Sequence, residues 1–271
     1  MLFKKEENTM TTDQIRFDDG AAYEQYMGKW SQLAGQTFLD WVAPSPGLRW
    51  LDVGCGNGAF TELMAQTCAP GSVHGIDPSE GQLAFARARP VSRIARFSQG
   101  DAMALPFPDN SFDIAVMPLV IFFVPEPDRG VAEMVRVVGP GGVVAAYAWD
   151  MYGGGFPYEV LNSAMRDMGL DVPKPPSPQA SRLDVMQELW AQAGLEAIAT
   201  TEITVQRTYT NFSQYWSTVL GSPSAGANLA RMSPTDIALL QGQLQQRLAS
   251  DEHGMITCTA RANAVRGTVA R

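Results

Sequence analysis

Large apolar side chains at Tyr23, Tyr26, Met27, Trp30, Leu33, Phe38 and Trp41 recur at the spacing of one helical face. The stretch 21–43 therefore predicts an amphipathic helix, which Pro44, Pro46 and Gly47 end. The period then changes. Short apolar runs at 48–54, 72–77, 94–99 and 112–118 read as buried strands, the third weaker than the others. Between them, 59–68 reads as a helix, and Pro78 and Ser79 open another that runs to about Arg89, with Ser79 as its cap. Val131, Met134, Val135 and Val138 stand at i, i+3, i+4 and i+7, predicting a helix from about Asp128 that Gly139-Pro140-Gly141-Gly142 ends. Residues 143–149 read as a fifth strand. Strands alternating with helices of this length predict right-handed βαβ units in a mostly parallel sheet.

Beyond Asp150 the texture changes. Residues 151–181 are rich in Gly and Pro, with Pro173, Pro175, Pro176 and Pro178, and predict a long loop or partial lid holding one short helix. A helix over 182–193, a strand over 197–208, a mixed helical stretch over 211–250 and a last strand over 255–268 follow. Segments 151–181 and 211–250 read as additions over the sheet edge, on the substrate side, so that 20–271 is one domain. Residues 1–19 read as a loose tail, with Met10 as an alternative start.

Composition narrows the class. The chain has 271 residues, 45% of them hydrophobic, which provides for a sizeable core and excludes disorder throughout. Its formal charge of -8 opposes a phosphate backbone, so no nucleic-acid partner is expected. No run has the length of a signal peptide core or a membrane span, which predicts a cytoplasmic protein without a membrane partner. Cys55, Cys68 and Cys258 form no CxxC pair, and no His, Cys or carboxylate spacing suggests a metal.

The chemistry gathers at Leu51-Asp52-Val53-Gly54-Cys55-Gly56-Asn57-Gly58, between a strand and a helix. Glycines permit a tight turn and close approach of a ligand to the main chain, and the following helix N-terminus attracts an anionic group. That group is pyrophosphate in a dinucleotide enzyme and a carboxylate in a methyltransferase; Gly54, Gly56 and Ala59 also satisfy the looser dinucleotide fingerprint. Asp52 precedes the turn, where a carboxylate can meet an ammonium group. Asp77 ends the second strand, where an acid can bind ribose hydroxyls. Asp101-Ala102 follows the third strand, where a carboxylate and a main-chain N–H can read an adenine. Each acid alone is as readily a turn or cap residue. Three at the mouths of three successive strands favour one ligand crossing the carboxyl edge.

LDVGCGNG, GIDPSE, GDAMALPFPDNSFD and AEMVRVVGPGG together resemble the class I methyltransferases, over about 20–150, closest to the small-molecule branch related to the ubiquinone and menaquinone C-methyltransferases. The resemblance implies an α/β, Rossmann-like fold: a seven-stranded, mostly parallel sheet with the last strand antiparallel and helices on both faces. It implies S-adenosylmethionine as cofactor, held by the 20–150 core. It assigns Asp52, Gly54, Cys55, Gly56 and Gly58 to the methionine part, Asp77 and Pro78 to the ribose, and Asp101 with Ala102 to the adenine. Met117, Pro118 and Leu119 fall where the family lines the floor under the sulfonium. AAYEQYMGKW resembles the helix that closes over the cofactor, which nominates Tyr23, Tyr26 and Trp30. Where family members often carry a polar residue or His, this chain has Leu119-Val120-Ile121-Phe122-Phe123, so no catalytic residue is assigned.

The expected reaction is methyl transfer to a small-molecule acceptor, chiefly by in-line placement, with a base only if the acceptor must lose a proton. A tyrosine hydroxyl near the cofactor is one candidate for orienting the acceptor. Tyr23, Tyr26, Trp30, Phe122, Trp149, Tyr152, Phe156 and Trp216 are candidates for the pocket wall, against core packing as the alternative. His74, within a strand, reads as a satisfied core residue, and His253 as solvated. Two other functions stay open: an NAD(P)-dependent oxidoreductase, which leaves Asp101-Ala102 and the 20–43 helix unexplained, and a non-catalytic S-adenosylmethionine-binding module. The acceptor atom and the oligomeric state are not encoded in any motif.

Overall fold

The computed structural model describes residues 24–220 and 229–271. Its centre is one seven-stranded sheet: β1 (Arg49–Val53), β2 (Ser72–Asp77), β3 (Ala95–Gln99), β4 (Phe112–Pro118), β5 (Val138–Trp149), β6 (Glu196–Tyr209) and β7 (Ile256–Thr268), in the order β3-β2-β1-β4-β5-β7-β6. β7 runs antiparallel to both neighbours, and the other pairings are parallel. The strand order reverses between β1 and β4, which leaves a crevice at their carboxyl ends.

The helices are α1 (Lys29–Val42), α2 (Ala59–Cys68), α3 (Glu80–Ala88), α4 (Pro127–Val137), α5 (Glu159–Asp167), α6 (Leu183–Gln192), α7 (Phe212–Leu220) and α8 (Pro234–Arg247). A π-turn over Glu24–Gly28 leads into α1, whose apolar stripe buries Trp30, Ala34, Phe38 and Leu39. Ala43 then turns left-handed and its N–H closes the helix on the Leu39 carbonyl at 2.9 Å. Ser79 caps α3 as expected, its Oγ accepting from the Gln82 N–H at 3.3 Å. The loose tail expected over 1–19, and Tyr23, lie outside the described residues.

One boundary differs from expectation. The run Gly139-Pro140-Gly141-Gly142 does not separate helix from strand: α4 passes directly into β5 at Val138, and the glycines lie inside that strand. Val138 pairs with Phe112 and Val143 with Ile114, so the extra residues form a bulge against β4. A Cβ at Gly142 would come within 2.6 Å of the Asp113 carbonyl, so this close pairing needs glycine there.

The 151–181 segment holds α5 and a 3₁₀ turn at Pro178–Ser181, as its composition suggests. It is tied to the loop after β4, since the Ser177 N–H donates to the Phe122 carbonyl at 3.0 Å. β7 pairs with β5 only through Ala262–Thr268, while its pairing with β6 continues to Ile256. The ends of β6 and β7 thus project past β5 as a two-stranded ribbon. Aromatic rings gather around it. Tyr26 stacks on Tyr158 at 4.1 Å, and Tyr209 meets Tyr215 edge-on at 5.2 Å. Among the described residues no helix is long and apolar enough to cross a membrane.

Candidate active site

Strand alternation puts Trp50 and Asp52 of β1 on the sheet face covered by α1 and α2. The first turn of α2 brings Thr61 over that strand, and its hydroxyl donates to Asp52 Oδ2 at 2.6 Å. Asp52 is fully buried, and its Oδ1 has no hydrogen-bond partner among the described residues. Burial pushes its carboxyl up to about 7, against the Thr61 hydrogen bond, and the neighbouring charge of Asp77 adds to the rise.

The turn itself is held from below. The Gly54 and Cys55 N–H groups both donate to the Ile76 carbonyl, at 2.7 and 3.0 Å, and the Gly58 N–H donates to the Cys55 carbonyl at 2.9 Å. Gly54, Gly56 and Gly58 all take positive φ, at 76°, 52° and 78°. At Gly54 the close approach is made by the protein itself: a Cβ there would fall 2.5 Å from Cγ2 of Val120. At Gly56 the nearest heavy atom would be 4.0 Å away, so the main chain is open to a ligand at that glycine. The Cys55 thiol is pushed well up by burial and by the charges of Asp52 and Asp77, and stays protonated.

Asp77 braces the same turn. Its Oδ2 accepts from the Gly56 N–H and its Oδ1 from the Ser79 N–H, both at 2.9 Å. Burial raises its carboxyl and these two amides lower it. The cap role and a ligand role are compatible, because a carboxylate has further lone pairs on each oxygen. Pro78 is exposed beside it. Asp101 is exposed and folds its own loop, with Oδ1 accepting from the Met103 N–H at 2.9 Å, and Ala102 is half-buried next to it. Arg136 of α4 holds that loop from its far end, donating to the Leu105 and Phe107 carbonyls at 2.9 and 2.7 Å.

Past the end of β4, the three expected floor residues separate. Pro118 lies opposite Tyr147 on the Asp52 face. Leu119 is left-handed with φ 60°, and its N–H donates to the Tyr147 carbonyl at 2.7 Å. Met117 points to the other face, its methyl group near Gly130 of α4. Its side chain is therefore core, and only its main chain borders the crevice.

Tyr26 and Trp30 are buried, and both meet the 151–181 segment through Tyr158. The Tyr158 hydroxyl donates to the Tyr26 carbonyl at 2.7 Å, and Arg207 reaches both that carbonyl and the Tyr158 oxygen at 3.5 Å. Burial pushes the phenols of Tyr158, Tyr209 and Tyr215 up. Of the other aromatic candidates, Trp149 and Phe122 are buried, Phe156 and Trp216 are half-buried, and Tyr152 is 62% exposed. His74 is satisfied by Ser98 Oγ at 2.7 Å, as its place in a strand suggests. No group of three His, Cys, Asp or Glu among the described residues has the arrangement of a metal site.

Thr61, Val120, Tyr158 and Arg207 had no signal in the motifs. Thr61 alone was within reach, as the inward residue of the first helical turn after the glycines.

The sheet order, the antiparallel last strand and the glycine turn at the switch point give an α/β, Rossmann-like fold shared with solved methyltransferase structures. Residues 51–146 match the model of the family described as Methyltransferase domain. The demethylmenaquinone methyltransferase of Desulfitobacterium hafniense is 38% identical over 122 residues, which are 43% of this chain and 47% of that protein. The fatty-acid O-methyltransferase of Mycolicibacterium smegmatis is 38% identical over 96 residues, 35% of each chain. The chain thus spans half or less of these curated relatives. Among solved structures, Haemonchus contortus phosphoethanolamine N-methyltransferase 2, in complex with phosphomonomethylethanolamine and S-adenosylhomocysteine, superposes with a TM-score of 0.59 at 20% identity. The superposition covers 96% of this chain and 59% of that one, and shows a shared fold.

Proposed function

We propose that this protein transfers a methyl group from S-adenosylmethionine to a small, largely apolar acceptor. Asp52 carries the reading. A buried carboxyl with one unpartnered oxygen, beside a second acid at the same turn, suits an ammonium group. Once ionised, it would oppose the pyrophosphate that an NAD(P)-dependent oxidoreductase would seat there.

Asp52 would take the cofactor's ammonium, and Gly54, Cys55, Gly56 and Gly58, with the N-terminus of α2, its carboxylate. Gly56 offers the open approach. Asp77 would use its remaining lone pairs on the ribose hydroxyls, with Pro78 alongside, and Asp101 with Ala102 would flank the adenine. Pro118, Leu119 and the Met117 main chain would form the floor, and Tyr26 and Trp30 the cover. The bound cofactor supplies an electrophilic methyl group on a good leaving group. The protein's share is to bind, orient and exclude water. The phenols of Tyr158, Tyr209 and Tyr215 stay protonated and act as donors, not bases.

The apolar acceptor rests on the aromatic lining of the lid and on the acceptors named for the two relatives, demethylmenaquinone and fatty acids. The three free cysteines fit the reducing cytoplasm, and the net charge of -8 fits a protein without a nucleic-acid partner.

The test pairs binding with turnover. S-adenosylhomocysteine at a hundred times its dissociation constant should stabilise the protein by about 2.7 kcal/mol, with NAD without effect. Labelled methyl from S-adenosylmethionine should then appear on members of a panel of quinols, sterols and fatty acids. Stabilisation by NAD alone would return the oxidoreductase reading. Binding without transfer to any acceptor class would favour a cofactor-binding module.

A further inference from the structure

We propose that Asp52 holds a proton while the site is empty and gives it up when the cofactor's ammonium arrives, so that cofactor binding releases one proton and weakens on the acid side of neutrality. The inference rests on the methyltransferase reading and adds a proton to it.

The geometry disfavours a bare carboxylate. Asp52 is fully buried, and one hydroxyl, that of Thr61, serves it through Oδ2. Oδ1 faces no donor among the described residues. A bare carboxylate in such a place is costly, and the proton removes the charge. Among the described residues the surroundings add no counter-charge. From α1 the inward residues are Ala34, Gly35 and Phe38, which are uncharged. β4 presents Val116, and β5 the Tyr147 phenol, which points toward Gly35. The acids and thiol at the edge are Asp77, held by two amides, and Cys55, which keeps its proton. His74 stands opposite Leu51, so its ring lies on the other face of the sheet. With its carboxyl raised to about 7, Asp52 is neutral in half the molecules at that pH. The exchange balances: the carboxyl O–H bond breaks, the proton passes to solvent, and the carboxylate pairs with the incoming ammonium.

The experiment is isothermal titration calorimetry of S-adenosylhomocysteine between pH 6 and pH 8. Each pH is run in two buffers of different ionisation enthalpy, so that proton release is counted directly. The wild type should bind about tenfold more weakly at pH 6 than at pH 8. Proton release should be close to one per ligand at pH 6 and fall toward none at pH 8. Asp52→Asn should bind more weakly than wild type at pH 8, with no slope and no released proton. Thr61→Val, which removes the one hydrogen bond favouring the carboxylate, should move the wild-type curve to higher pH, and decides the matter if the Asn variant does not fold. A flat wild-type profile with tight binding overturns the proposal, as does an Asp52→Asn profile that keeps the slope, which would assign the proton to Asp77 or His74. Failure of S-adenosylhomocysteine to bind at any pH overturns the methyltransferase reading instead.

Discussion

Val120 lies directly against the Cα of Gly54: a β-carbon at Gly54 would fall 2.5 Å from Cγ2 and 2.6 Å from Cγ1 of that valine. The first glycine of the turn is thus required by the loop after β4, which fits over β1 at the switch point. Gly54→Ala would combine this overlap with a φ of 76°, which an L side chain disfavours. The expected destabilisation is about 2–4 kcal/mol, read from denaturant unfolding. Val120→Ala in the same chain should recover part of it, because the two closest atoms are removed and a 3.0 Å contact to Cβ is left, while the φ cost stays. Equal losses in single and double variants would mean that the dihedral alone matters.

Asp52 should lower the stability of the protein as pH rises. In the unfolded chain its carboxyl ionises at about 4, while in the folded protein burial holds it to about 7. Below pH 4 both states carry the proton and there is no penalty. Between pH 4 and 7 the unfolded state loses its proton first, so stability falls, and above 7 the loss is constant. The full cost is up to about 4 kcal/mol. Asp52→Asn removes it. That variant should be more stable than wild type at pH 8 by a larger margin than at pH 5, in unfolding curves at the two pH values. A margin that does not grow with pH would show that Asp52 ionises in the fold as it does in water.

Tyr158→Phe should loosen the cover of the site. It removes the hydrogen bond to the Tyr26 carbonyl while keeping the ring that stacks on Tyr26 at 4.1 Å. The expected cost is about 1–2 kcal/mol, with faster amide hydrogen exchange over the start of α1 and weaker S-adenosylhomocysteine binding. Unchanged exchange there would mean that stacking and Arg207 hold the turn without the hydroxyl.

Arg136→Met should act at the other end of the site. Arg136 bridges Glu133 and Asp109 and donates to two loop carbonyls. Without its guanidinium the 101–111 loop loses these side-chain bonds to α4, while the Leu105 N–H bond to Glu133 and the Asn110 N–H bond to the Arg136 carbonyl stay. Cofactor affinity should fall through the adenine side, and adenosine, which lacks the methionine part, should lose as large a factor as S-adenosylhomocysteine. A loss confined to S-adenosylhomocysteine would refute this.

Much of the framework was legible because it rests on local pattern. α2 and the strands β2 and β4 have the bounds that apolar runs and breakers predict. Asp52, Asp77 and Asp101 stand at strand ends because strand length and the following helix signal put them there. The glycine run at 139–142 misled for a physical reason. In isolation it is a helix stop, but the pairing of Val138 with Phe112 turns it into part of a strand with a bulge. That pairing joins two segments whose alignment no local period contains.

Sequence alone therefore determined the layered α/β architecture, the glycine turn and the acidic edge, since each follows from spacing within one element or across one turn. Only the tertiary structure decided what each residue touches. It set Val120 on Gly54, Thr61 on Asp52 and Tyr158 on Tyr26, turned Met117 away into the core, and gave Asp77 a structural bond on each oxygen. Such contacts depend on how elements far apart in the chain pack. They determine burial, and burial is what makes the Asp52 carboxyl behave unlike one in water.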